Sequence, residues 1–302
     1  MRLNNFFFNS QRSDFLTSLY LDMEIGDGIV GPTRTLKDFM RQDVLDRIAQ
    51  IYLPPLHETI PCTPAGFEKM NMGKGRIQSG TTILAFRYNG GVIMAADRKT
   101  SVGFSIKTLD TVKIHQIAGY TAIGCAGFIS DIQFTLEKLK DVNISFRSRY
   151  GKWLTIEGQV NYLVNLLRDS WQDLSFLVTD SIIVGRSFFG EVKIHQVTRD
   201  GCSLELSYIA DGSGGDDAES VLFDSRKQIG EKSLSLDDGI KLALRAIFKS
   251  GAKDNFSSDL RVSYPSIAVI TANDEFRFVE DGKVREEADL IIREEELKDG
   301  KK

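Results

Sequence analysis

The rhythm of apolar and polar positions changes along the chain, and the change divides it. In the first segment one stretch has a helical period: Leu36, Met40, Val44 and Ile48 recur every four residues on one face. Residues 69–80 (KMNMGKGRIQSG) are small, basic and glycine-containing, and read as a linker or a processing site. From Thr81 the pattern tightens. Residues 81–88 and 91–97 read as strands around Asn89-Gly90, a strong signal for a tight hairpin. Residues 112–117 and 120–125 form a second strand pair. Two helices follow, one with Ile132, Leu136 and Leu139 on a face, the other with Val160, Leu163, Val164, Leu167 and Trp171. Strand runs return at residues 181–185, 192–197 and 204–209. Two more helices cover roughly residues 217–230 and a stretch opened by Ser235-Leu236-Asp237-Asp238, an acidic variant of the capping box. The latter carries Leu236, Ile240, Ala243, Leu244 and Ile247 on one face. Closing strands at residues 266–271 and 276–279 lead to a charged tail from about residue 290 (EEELKDGKK), expected to fray.

Strands, two helices, strands, two helices, strands is an order of hairpins joined to helix pairs. It points to antiparallel sheets rather than a βαβ alternation. The expected fold class is α+β, with two sheets face to face and a helix pair on each outer face.

Composition narrows the function. The chain has 302 residues, 42% of them hydrophobic and 26% charged, enough for a sizeable core. Its net charge of −4 supplies no basic excess for phosphate contacts, so nucleic acid is not an expected ligand. Cys62, Cys125 and Cys202 are few, odd in number and far apart, which fits free thiols in a reducing compartment. No apolar run approaches the roughly 18 residues needed to cross a bilayer. Phe6, Phe7 and Phe8 run straight into Asn9-Ser10-Gln11-Arg12, so no signal-peptide core is present. A cytoplasmic protein without membrane partners is expected. Of six prolines, five (Pro32, Pro54, Pro55, Pro61, Pro64) precede Thr81, which again marks a boundary there.

The familiar catalytic constellations are missing. His57, His115 and His195 pair with no second ligand at metal spacing, so neither a metal nor a cofactor is expected. Ser213 has Asp211 rather than glycine two residues before it, so no nucleophile elbow is formed. The loop Asp211-Gly212-Ser213-Gly214-Gly215 lacks the lysine of a phosphate-binding loop and reads as a strand-to-helix turn. Asp216-Asp217 balances a helix dipole, and Cys125 in its apolar run reads as a small core residue.

What remains is Gly80-Thr81-Thr82 with Asp97 and Lys113 downstream. A threonine can act as a nucleophile without a histidine when its own α-amine takes the hydroxyl proton. That amine has an ordinary pKa of about 7.7–8.0, suited to neutral pH. It becomes free only if the Gly80–Thr81 bond is cut. A cation at Lys113 would lower the hydroxyl pKa and hold the amine neutral, and Asp97 would orient that cation. Thr81 starts the first strand, Asp97 ends the second and Lys113 starts the third, so all three can meet at one end of one sheet. Gly127 sits where the next strand turns into a helix, with an N–H available to an oxyanion. Singly, Asp97 and Lys113 are also what ordinary charged strand ends look like; the joint arrangement favours chemistry.

Taken together, GTTILAFRYNGGVIMAADRKTS, TVKIH, TAIGCAGFISD, the DGSGG loop and AKDNFSSDLRVSYPSIAVI resemble proteasome β-subunits of the N-terminal-nucleophile hydrolase family, over residues 81 to about 280. The long leader and closing segment are similar to the actinobacterial type rather than to the shorter two-ring HslV peptidase. The resemblance implies a four-layer αββα sandwich. It implies that residues 1–80 are a propeptide removed autocatalytically at Gly80–Thr81, leaving a catalytic domain over 81–302. It assigns the nucleophile to Thr81, its partners to Asp97 and Lys113, and the oxyanion donor to Gly127. Ser213, Asp254 and Ser257 fall in the supporting network. Thr100, Ser101, Thr111, His115, Cys125 and Ile129 fall in the substrate site, and none of them is a fixed charge. Many members follow the serine of Asp254-Asn255-Phe256-Ser257 with glycines, whereas this chain has Ser258-Asp259. Heptameric β-rings stacked on α-type rings, an ATPase unfoldase and unfolded protein substrates are the implied partners. A non-catalytic structural ring subunit and a small-molecule amidase are the competing readings; intact Thr81, Asp97 and Lys113 argue against the first, and the lack of long insertions against the second.

Overall fold

Asn89-Gly90 makes the first turn, with Gly90 at a φ of 141° that favours glycine. The computed structural model describes residues 78–102, 105–172, 176–229, 234–254, 257–272 and 276–299. Residues 1–77 lie outside the described residues, and with them the Leu36–Ile48 helical face and most of the expected propeptide.

A short strand, β1 (Gln78–Ser79), precedes the hairpin of β2 (Thr82–Tyr88) and β3 (Gly91–Ala96). Next, β4 (Thr100–Val102) and β5 (Ser105–Thr108) form a separate two-stranded ribbon. Strands β6 (Ile114–Ala118) and β7 (Thr121–Phe128) lead into α1 (Ile129–Tyr150), which stops at Gly151 in the left-handed conformation. Helix α2 (Ile156–Gln172) follows, then β8 (Thr179–Arg186), β9 (Val192–Val197), β10 (Ser203–Leu206) and β11 (Tyr208–Gly212). Helix α3 (Gly215–Ile229) opens with Asp216-Asp217 in its first turn. Helix α4 (Leu236–Gly251) is capped by Ser235, whose Oγ accepts from the Asp238 N–H at 3.2 Å. Strands β12 (Ser266–Thr271) and β13 (Arg277–Phe278) and helix α5 (Asp281–Asp299) close the described chain.

A five-stranded sheet runs β11-β2-β3-β12-β13; a six-stranded one runs β1-β7-β8-β9-β10, with β6 also on β7, and the pairings are antiparallel. Alternate residues of each central strand serve two cores, so the strands read as near-continuous apolar runs. Ile83, Ala85 and Met94 meet Ile182, Val184 and Ile194 between the sheets. Leu84, Phe86 and Ile93 face Ala243, Leu244 and Ile247 of α4. Ile123, Cys125 and Ile183 face Leu139 of α1 and Leu163 and Leu167 of α2. The result is the expected four-layer αββα sandwich.

Beyond the additional strands β1, β4 and β5, the structure differs from the sequence reading in three places. The run over 204–209 is not one strand. It breaks at Ser207, where β10 leaves the six-stranded sheet and β11 joins the five-stranded one, with the Arg87 N–H on Ser207 O at 3.1 Å. The charged stretch from about residue 290 is helical as far as the structure describes it: α5 runs to Asp299. Val284, Ala288 and Ile291 form an i, i+4, i+7 stripe in the core, so one outer face carries three helices rather than two. Third, Lys113 enters the six-stranded sheet through β6, whereas Thr81 and Asp97 adjoin β2 and β3 of the other. The three meet between the sheets, not at one end of one sheet. Among the described residues, no helix is long and apolar enough to cross a membrane.

Candidate active site

Thr81 lies between β1 and β2, fully buried, where the two sheets come together. Gly212 ends β11 against it with a φ of 93°, and a Cβ there would overlap the Thr81 carbonyl. Asp97 follows β3 and is locked to the next turn of chain: its N–H donates to Thr82 O at 3.1 Å and its Oδ1 accepts from the Thr82 N–H at 2.9 Å. Its Oδ2 accepts from the backbone N–H groups of Lys99 at 3.1 Å and Ser258 at 3.2 Å. A carboxylate with this many donors is held at a fixed angle.

Lys113, just before β6, donates from Nζ to Asp97 Oδ1 at 2.7 Å and to Gly80 O at 2.7 Å. The side chains of the pair are 4% and 0% exposed. Burial pushes the Lys113 pKa down, and the charge and hydrogen bond of Asp97 oppose that shift. The ammonium is thus aimed at the carbonyl of the Gly80–Thr81 bond, where it draws electron density from the carbon.

On the other side of Thr81 lies a hydroxyl and carboxylate group. The Thr81 N–H donates to Ser213 Oγ at 3.2 Å, and Ser213 Oγ donates to Asp254 Oδ2 at 2.5 Å. Ser257 gives the same oxygen its N–H at 3.1 Å and its O–H at 2.7 Å. The structure therefore brings Thr81, Asp97, Lys113, Ser213, Asp254 and Ser257 into one contiguous network. Gly127 joins through the strand pairing: β1 runs antiparallel along β7, with Ser79 opposite Gly127 and Gln78 opposite Phe128. Gly127 has a φ of 143°, and a Cβ there would overlap Val178 O.

The residues expected in the substrate site divide into two groups. Thr100 and Thr111 are tied by a hydroxyl hydrogen bond at 2.7 Å, and Ser101 lies beside Thr100 in β4. His115 is half-buried in β6, where burial lowers its pKa and favours the neutral ring. Cys125 is buried in the core beneath α1 with Sγ 3.4 Å from Ser181 Oγ, and its thiol is pushed up to about 11. Ile129 is the half-buried first residue of α1.

Four residues of the network carry no role assigned from the sequence. Lys99 donates its backbone N–H to Asp97 and its Nζ to Ser257 O at 3.3 Å. Ser258 stands at the glycine-deviating position and still supplies its N–H to Asp97. Thr82 Oγ1 lies 2.5 Å from Ser250 Oγ and 2.7 Å from Ser257 Oγ. Ser250 continues the Ile240, Ala243, Ile247 stripe of α4 by one step, and a serine on a buried stripe is a signal that could have been read. Among the described residues, no group of three or more His, Cys, Asp or Glu side chains is placed to hold a metal ion.

The family model described as "Proteasome subunit" matches residues 77–262. The chain is similar to proteasome subunit beta 2 of Sulfolobus acidocaldarius, 31% identical over 188 residues, 62% of this chain and 88% of the relative. It is similar to proteasome subunit beta 2 of Saccharolobus solfataricus, 30% identical over 61% of this chain and 85% of that one. Proteasome subunit beta of the actinobacterium Saccharomonospora viridis is 25% identical over 283 residues, 89% of this chain and 92% of the relative.

Proposed function

The chain belongs to the proteasome subunit family as a β-type subunit with the N-terminal-nucleophile hydrolase fold, and we propose that it is a threonine endopeptidase that exposes its nucleophile by cutting its own Gly80–Thr81 bond. The observation that carries this reading is the Lys113 ammonium, 2.7 Å from both Asp97 Oδ1 and Gly80 O. In self-cleavage, Thr81 Oγ1 adds to the Gly80 carbonyl carbon while Lys113 stabilises the oxygen. The C–N bond breaks, the Thr81 nitrogen takes the proton, and an ester links Gly80 to the Thr81 side chain. Water hydrolyses that ester. It releases residues 1–80 as a carboxylate and frees the Thr81 hydroxyl beside the α-amine that the acyl shift had already exposed.

In proteolysis the free amine acts as the base and removes the Thr81 hydroxyl proton, with Lys113 lowering its pKa. The hydroxyl oxygen attacks the peptide carbonyl and the oxyanion is met by the Gly127 N–H. The amine then protonates the leaving nitrogen, and water resolves the acyl-enzyme. Ser213, Asp254 and Ser257 hold the amine. The substrate lies where β1 lies on the edge of β7, as an added antiparallel strand. Thr100, Ser101, Thr111, His115, Cys125 and Ile129 shape the pocket for the residue before the cut. Uncharged hydroxyls, a neutral imidazole and a protonated thiol suit small or apolar side chains there.

The subunit works in homo-heptameric rings stacked with α-type rings. An ATPase unfoldase feeds unfolded chains to sites facing a closed cytoplasmic chamber. The test is Thr81→Ala in the particle co-produced with α-type subunits. Cleavage of a fluorogenic peptide is expected to fall to background with assembly intact. Turnover that survives the substitution overturns the nucleophile.

A further inference from the structure

A second line of hydroxyls runs behind the network and joins it at Ser257. Ser250 Oγ, Thr82 Oγ1 and Ser257 Oγ are linked at 2.5 and 2.7 Å, and Ser257 Oγ reaches Asp254 Oδ2 at 2.7 Å. Ser250 and Thr82 are fully buried and Ser257 is 2% exposed. Room for this line comes from Gly214, where a Cβ would overlap both Ser250 Oγ and Thr82 Oγ1.

The direction of each bond follows from counting protons. The Asp254 carboxylate accepts only, so it takes the hydroxyl protons of Ser257 and Ser213. Ser257 has then used its single proton and accepts from Thr82; Thr82 has used its own and accepts from Ser250. Every O–H points toward Asp254, and hydrogen bonds in such a line polarise one another. Ser250 also accepts, through its carbonyl, the N–H groups of Lys253 at 3.0 Å and Asp254 at 2.8 Å. One residue at the end of α4 therefore grips the backbone of Asp254 and the side chain that follows the nucleophile.

We propose that Ser250 and Thr82 are positioning residues that set the distance between Thr81 and Asp254 and relay polarisation into the carboxylate. This rests on the threonine-protease reading above. Without the Thr82 hydroxyl, Ser257 becomes a weaker donor, and Asp254 keeps more of its negative charge for Ser213 and the α-amine. A more negative neighbour favours the ammonium form. The amine then becomes neutral only at higher pH, and the acid limb of kcat/KM moves up.

The test uses the processed particle with its α-type partner and a short peptide bearing a C-terminal fluorophore. Thr82→Val keeps the shape and removes the hydroxyl, Thr82→Ser keeps the hydroxyl, and Ser250→Ala removes the first donor. Thr82→Val and Ser250→Ala are expected to lower kcat by about tenfold, the worth of one ordinary hydrogen bond, with KM unchanged and the acid limb raised. Thr82→Ser is expected to restore both kcat and the limb. Self-cleavage of the same chains, followed by intact mass, is expected to slow in the same order. That second readout serves if Thr82→Val stays uncut. Wild-type kcat and acid limb in Thr82→Val and Ser250→Ala, or an equal loss in Thr82→Ser, overturn the relay. Turnover that ignores Thr81→Ala overturns the functional reading itself; turnover that needs Thr81 but ignores Thr82→Val overturns the relay alone.

Discussion

Consider removing the two halves of the Lys113–Asp97 pair in turn. Both side chains are almost fully buried, at 4% and 0% exposure. Removing one partner of such a pair strands the other charge and costs about 3–5 kcal/mol. Lys113→Met falls at the lower end, about 3 kcal/mol. Asp97 still accepts from the N–H groups of Thr82, Lys99 and Ser258, which keep its charge solvated by dipoles. Asp97→Asn costs more, about 5 kcal/mol. Its amide N–H₂ must face one of the two donor sets, Thr82 N–H with Lys113 or the N–H groups of Lys99 and Ser258, and Lys113, already pushed toward its neutral form by burial, loses the charge that opposed the shift. With both changed, the interaction is gone once rather than twice. The double variant should be more stable than the sum of the singles by about 2–3 kcal/mol. Urea unfolding at matched concentration measures this, with Thr81→Ala as the common background so that all four chains remain uncut. Additivity to within about 0.5 kcal/mol would refute the pairing as an energetic unit. With Thr81 intact, either single variant that still releases its leader refutes the role given to the pair in self-cleavage.

Three further outcomes are expected. Gly127→Ala must either flip a residue with a φ of 143° or push its Cβ into Val178 O, moving the N–H proposed to meet the oxyanion. A loss of about 10²–10³ in kcat with KM little changed is expected, and an unchanged kcat would remove Gly127 from the mechanism. Iodoacetamide at pH 8 should label exposed Cys202 in the native chain and reach Cys125, whose thiol is pushed up to about 11 and buried, only in denaturant; peptide mass mapping decides. Burial lowers the pKa of His115 and His195 below 6.5, so between those depressed values and 6.5 the unfolded chain binds more protons and stability rises with pH. The thermal midpoint should therefore fall as pH drops through about 6.5, and less steeply in His115→Gln and His195→Gln; equal slopes would contradict the burial argument.

Local features of the fold were legible because local chemistry decides them. Asn89-Gly90 dictates its hairpin, Ser235 its helix start, and Val160, Leu163 and Leu167 their buried face. Partnership was not, because a period of two says which residues are buried and not against which sheet. The strand run through Ser207 looked continuous while its two halves joined different sheets. The same blindness put Lys113 in the sheet of Thr81, although it reaches Asp97 from the opposite one. Helix α5 hid behind its charge: Glu294, Glu295 and Glu296 dominate the stretch, yet Val284, Ala288 and Ile291 suffice to dock it. In the site, Thr81, Asp97 and Lys113 stood out because their chemistry is rare in combination. Ser250 and Thr82 did not, because a hydroxyl gains its meaning only from the partner that packing supplies.

In the proposed mechanism Thr81 becomes the first residue of the working chain. Intact mass and N-terminal sequence of the β-type chain, taken from an active particle assembled with its α-type partner, test it most directly. A chain that begins at Thr81 is expected. A fully active particle whose chain still begins at Met1 would contradict it, because the Thr81 nitrogen would still be an amide and unable to serve as the base.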